Sequence, residues 1–74
     1  MKLPRVTGDK VMKALKRAGF EEIRVRGSHH YLYHKQKDRL VTVVVHAGKI
    51  LAPKTLKSIL KQADMGVEEL KQLL

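Results

Sequence analysis

Arg24-Val25-Arg26-Gly27-Ser28-His29-His30-Tyr31-Leu32-Tyr33-His34 decides the fold of this 74-residue chain. Apolar and polar residues alternate from Glu21 to Arg26, with Ile23 and Val25 apolar and Glu22, Arg24 and Arg26 between them, the period of a half-buried strand. Gly27-Ser28 then suits a type II′ hairpin turn, because the first loop position needs a positive φ that glycine adopts without steric cost. A second strand follows over His29 to His34. Lys35-Gln36-Lys37-Asp38 breaks the pattern before a third strand, Leu40 to His46, rich in β-favouring valine.

A helix is expected on either side of this sheet segment. Upstream, Thr7 is placed to cap a helix whose Val11, Met12, Leu15 and Ala18 form one apolar stripe, with Lys10, Lys13, Lys16 and Arg17 on the other face and Gly19 as its stop. Downstream, Pro53 fits a first helical turn, since its missing N–H leaves no bond unmade there. That helix runs to about Ala63, Met65-Gly66 ends it, and Val67 to Leu74 makes a short last one. The order α-β-β-β-α plus a short α gives an α+β fold, a three-stranded antiparallel sheet with helices on one face and the other face open.

The length predicts a single domain over residues 1–74, one that buries only about 60% of the surface its unfolded chain exposes. Without cysteine, neither disulfides nor a thiolate zinc site support it, a composition suited to a reducing cytoplasm. No stretch approaches the roughly 18 to 20 apolar residues of a membrane-spanning helix. Sixteen Lys and Arg against seven Asp and Glu give a net charge of +9, which points to a polyanionic partner. The excess lies in the body of the chain: up to Ala63 there are 15 basic and 4 acidic residues, net +11, whereas Asp64 to Leu74 is net −2.

Hairpin register predicts which side chains meet, because a slip of one residue turns every side chain over. A Gly27-Ser28 turn pairs Arg26 with His29, Val25 with His30, Arg24 with Tyr31 and Ile23 with Leu32. Burial of Ile23, Val25 and Leu32 then places His30 on the core side and sends His29, Tyr31 and Tyr33 outward with Arg24 and Arg26. In the third strand, setting Val43 beside Leu32 and Val45 beside His30 brings His46 beside His29. The expected outward row is Arg26, His29, His46, followed by Arg24, Tyr31, Val44.

A guanidinium and two imidazoles one strand apart suit phosphoryl chemistry. Histidine exchanges protons near neutral pH, so His29 could remove a ribose 2′-hydroxyl proton while Arg26, His46 or Lys49 stabilises charge on the phosphoryl oxygens. Tyr31 could stack on a base, and Ser28 shapes the turn, since no Asp or Glu is placed to orient a histidine beside it. The histidines lack carboxylates or cysteines at metal-ligand spacing, so no metal or other cofactor is expected. Residue chemistry leaves two further readings open. One is a non-catalytic RNA-binding module that uses the basic first helix with Lys54, Lys57 and Lys61; the other is a protein-docking role for the open face.

The chain resembles the HicA (YcfA-like) toxins of type II toxin–antitoxin systems, mRNA interferases with a double-stranded-RNA-binding-domain-like fold. The resemblance rests on the helix ending Ala18-Gly19-Phe20, on Gly27-Ser28-His29-His30, on Val41-Thr42-Val43 leading to His46 and Lys49, and on Leu56 to Ala63 followed by Glu68-Glu69-Leu70. It implies RNA cleavage independent of metal and ribosome, with His29 of the Gly-Ser-His motif as the catalytic residue, and a HicB-like antitoxin that covers the site. Many relatives carry proline where this chain has Val44, which alters strand pairing at that point.

Overall fold

The computed structural model describes residues 2–74. Its elements are α1 (Gly8–Arg17), β1 (Glu21–Arg26), β2 (His29–His34), β3 (Arg39–Val44), α2 (Pro53–Ala63) and α3 (Val67–Leu73), the α+β order that the sequence predicts. The strands form one antiparallel sheet in the order β1-β2-β3. Among the described residues no helix is long and apolar enough to cross a membrane.

Local chemistry explains where each helix begins and ends. Thr7 occupies the cap position of α1 in an extended conformation, but its hydroxyl makes no capping bond. At the other end, Ala18 N–H donates to Ala14 O and Phe20 N–H to Leu15 O, closing the last turn before Gly19 at φ +106°. Pro53 opens α2, and Asp64 ends it in the left-handed region. Lys37 Nζ donates to Ala63 O and Asp64 O at 3.5 and 3.4 Å, where a cation meets the negative end of α2. Arg17 ties α1 to α3 through a 2.6 Å bond from its guanidinium to Leu73 O.

Val11, Ala14 and Leu15 of α1 pack with Leu32, Val41 and Val43 of the sheet and with Leu56, Ile59, Ala63 and Leu70 of the later helices, all almost wholly buried. Both long helices lie against β3. β1, at the far edge, therefore overhangs the core, and all six of its residues are exposed. Here the structure corrects the sequence reading: Ile23 is 57% and Val25 52% exposed, so neither belongs to the core.

The register near the turn is as predicted, with Arg26 opposite His29, Val25 opposite His30 and Arg24 opposite Tyr31. Gly27 has φ +58° while Ser28 has no positive φ, the combination expected of a type II′ turn rather than type I′. Beyond Arg24 the ladder shifts, because a bulge at Ile23 puts Glu22, not Ile23, opposite Leu32. The extra residue leaves Ile23 unpaired and turns Glu22 toward the helix side of the sheet.

The third strand also departs from the prediction. It ends at Val44, and its ladder to β2 pairs His29 with Val44, His30 with Val43, Tyr31 with Thr42 and Leu32 with Val41. This register is two residues away from the expected one. A two-residue shift keeps every side chain on its predicted face, so burial of alternate valines does not distinguish the two registers. Contacts distant in sequence hold the observed one. Gln62 Oε1 of α2 accepts Thr42 N–H at 3.0 Å, Leu51 N–H bonds Val6 O at 2.8 Å, and Thr7 bridges Ile50. Gly8 presses so closely on β3 that a Cβ there would lie 2.8 Å from Val44 O.

Candidate functional site on the open sheet face

Strand alternation sends His29, Tyr31 and Tyr33 to the sheet face that carries no helix. The row at the hairpin end is Arg26, His29, Val44; the next is Arg24, Tyr31, Thr42; the third is Glu21, Tyr33, Leu40. His29, Arg24 and Arg26 are exposed, while Tyr31 and Tyr33 are half-buried. Two guanidiniums thus flank the imidazole and the phenol on adjacent rows, with neighbouring Cβ atoms about 5 Å apart. Such a surface can hold a phosphodiester against a group able to take a proton.

His46 does not stand beside His29, because β3 has ended and Val44 occupies that place. The ladder extends one bond further, Val45 N–H to Ser28 O at 2.8 Å, which fixes Ser28 as a turn residue. The chain then leaves the sheet through a turn closed by Lys49 N–H to His46 O at 3.0 Å, with Gly48 at φ +73°. His46 and Lys49 line a groove of about 260 Å³ whose wall includes Val44. These two residues therefore adjoin the His29 row by way of Val44. Lys54 and Lys57 are exposed on α2, in the helix layer, and are not gathered around His29.

The other two histidines are held by their surroundings. His34 is 8% exposed; its ring packs edge-on to Phe20, with centroids 5.0 Å apart, and its Nδ1 accepts Lys37 N–H at 3.1 Å. That bond and the Phe20 contact fix the orientation of the ring. His30 is on the helix side, and Glu22 Oε2 lies 2.5 Å from its Nδ1. That bond, with Lys16 Nζ 3.8 Å from Glu22 Oε1, holds the Glu22 carboxyl below its ordinary range.

The Glu22–His30 pair escaped the sequence reading, which assigned Glu22 to the polar side of a regular strand. The bulge at Ile23 creates the pair, and alternation alone gives no sign of a bulge. At the far end of the open face, Tyr33 donates its hydroxyl to Asp38 Oδ1 at 2.6 Å. That hydrogen bond raises the pKa of the phenol. Among the described residues no three His, Cys, Asp or Glu side chains are grouped to hold a metal ion.

A comparison with protein families matches residues 8–65 to the model of the HicA toxin of bacterial toxin–antitoxin. The matched span runs from the first residue of α1 through all three strands to Met65, just past α2. No curated protein gives a significant match.

Proposed function

The chain belongs to the HicA toxin family, the toxin side of a toxin–antitoxin pair with a cognate antitoxin as partner, and from that membership we propose that it is a metal-independent, ribosome-independent endoribonuclease acting on mRNA through His29. The observation that supports this most is the place of His29 on the helix-free face, beside Arg26 and next to the row of Arg24 and Tyr31. The fold is read as double-stranded-RNA-binding-domain-like and residues 1–74 as one HicA-like domain. The net charge of +9 suits an RNA substrate.

In this reading the neutral imidazole of His29 takes the proton of a ribose 2′-hydroxyl. The 2′-oxygen forms a bond to the adjacent phosphorus and the bond from phosphorus to the 5′-oxygen breaks. The products are a 2′,3′-cyclic phosphate and a 5′-hydroxyl: the leaving oxygen takes a proton from water on the open face, and the His29 imidazolium gives its proton to the hydroxide so formed, which restores the base. Arg24 and Arg26 donate to the phosphoryl oxygens as charge grows on them. Tyr31 offers a ring on which a base stacks, Ser28 shapes the turn that presents His29, and Lys49 and His46 contact RNA at the next position. Lys54 and Lys57 contact phosphates farther along. A HicB-like antitoxin binds the same open face in the cytoplasm and excludes RNA from it.

Purified protein is expected to cut RNA in EDTA, and a folded His29→Ala variant to lose 10²- to 10⁴-fold in rate, the usual contribution of a positioned acid–base group. Retention of cleavage by that variant would remove His29 from the mechanism. Salt-sensitive RNA binding without cleavage, lost on substitution of Lys54, Lys57 and Lys61, would favour the non-catalytic binding module instead.

A further inference from the structure

The ribonuclease reading gives His46 and Lys49 a contact with RNA but names no occupant for the concavity that they line. β3 stops at Val44, and the chain turns away through His46 to Lys49 before Thr7 catches it at Ile50. Between that turn and the start of α2 lies the groove of about 260 Å³, lined by Val44, His46, Lys49, Ile50, Leu51 and Thr55. Ile50 is 49% exposed and shares this lining with His46 and Lys49, so the groove joins apolar surface to a cation. Val44 belongs to the groove and is also the cross-strand partner of His29. The bond from Val45 N–H to Ser28 O makes Ser28–Val45 a hydrogen-bonded pair. His29–Val44 is therefore a close, non-hydrogen-bonded pair, about 4.5 Å between Cα atoms.

We propose that this groove is a nucleobase subsite of an RNA substrate, holding the base of a nucleotide next to the phosphate presented to His29. The proposal rests on the ribonuclease reading. Val44, Ile50 and Leu51 offer an apolar wall to the face of a base. His46 and the Thr55 hydroxyl can bond its edge, and Lys49 answers the phosphate that accompanies it. A polyanion with flat apolar rings meets both properties of the groove, which an inorganic anion or an apolar peptide does not. Because Val44 separates the groove from His29 by one strand, the base held there selects which phosphate reaches the imidazole. The groove would therefore govern sequence preference.

Two measurements test this. In the first, the folded His29→Ala protein is titrated with each nucleoside 5′-monophosphate and, separately, with inorganic phosphate, following methyl resonances of Val44, Ile50, Leu51 and Thr55 by NMR. Shifts of these methyls with nucleotides, unequal among the four bases and absent with phosphate, are expected. In the second, cut sites on a mixed-sequence RNA are mapped for wild type, Ile50→Ala and Thr55→Val. The variants should redistribute the cuts and raise KM several-fold. Equal methyl responses to nucleotides and phosphate, or identical cut maps, would overturn the subsite. Absence of cleavage by wild type, or full cleavage by folded His29→Ala, would instead reject the ribonuclease reading, while the nucleotide titration still decides whether the groove takes a base.

Discussion

Glu22 Oε2 lies 2.5 Å from His30 Nδ1, joining β1 to β2 on the helix side of the sheet while the adjacent His29 looks out from the other side. The two neighbouring histidines thus have different surroundings: one is held by a carboxylate and the other is exposed on the helix-free face. In this arrangement β1, which contributes nothing to the core, gains a polar attachment to β2 and, through Lys16, to α1.

That attachment is expected to weaken in acid. His30 and then Lys16 hold the Glu22 carboxyl below its ordinary value of 4.5. A carboxyl with a lowered folded-state pKa stabilises the fold above its unfolded value, and that contribution is lost as pH falls through the folded one. The melting temperature of wild type should therefore drop below pH 4.5, and Glu22→Gln should flatten that acid limb. Equal acid sensitivity in the two proteins would show that the pair contributes nothing.

Tyr33 is expected to act at the opposite end of the pH range. Its bond to Asp38 raises the phenol above its ordinary 10.0. The protonated phenol is the form that donates, so the stabilisation is complete below 10.0 and disappears as pH rises through the raised value. Tyr33→Phe should be less stable than wild type near neutrality and should converge with it in strong alkali. Absorbance titration of the phenols, read with thermal melts, checks both parts.

Two glycines with positive φ should respond differently to alanine. Gly27, at φ +58°, has nothing within 4 Å of a built Cβ, so Gly27→Ala carries only the left-handed backbone penalty, about 1 kcal/mol. Gly19, at φ +106°, would place its Cβ 2.8 Å from His34 Nε2, in a ring already fixed by Phe20 and Lys37. Gly19→Ala should destabilise by about 3 kcal/mol. Urea melts of the two variants measure the difference, and equal losses would contradict the close approach.

Gln62 should protect the free edge of β3. Its side-chain oxygen accepts Thr42 N–H, and its amide donates to Ser58 Oγ at 3.2 Å, which orients the group. Gln62→Leu leaves Thr42 N–H without that acceptor and should destabilise by about 1 kcal/mol. Hydrogen exchange at the Thr42 amide should accelerate more than at Val43, whose N–H faces β2. Unchanged exchange at Thr42 would show that the bond does not persist in solution.

The sequence by itself determined the elements. Turn glycines, the Pro53 start and the change of period from 3.6 to two place α1, the hairpin, α2 and α3 within a residue or two of their observed bounds, because these signals act between near neighbours along the chain. Parity likewise set His29 on one face and His30 on the other. Three features depended on the tertiary structure. Which register of β3 prevails depended on Gln62, Gly8 and Thr7, all distant in sequence, since a two-residue slip preserves every burial preference. Whether Ile23 and Val25 are covered depended on where the helices lie, and these leave β1 outside the core. The Glu22–His30 pair needed the bulge at Ile23, which alternation does not announce. Local chemistry thus selected the strands and their faces, and packing across the molecule decided which residues on those faces meet.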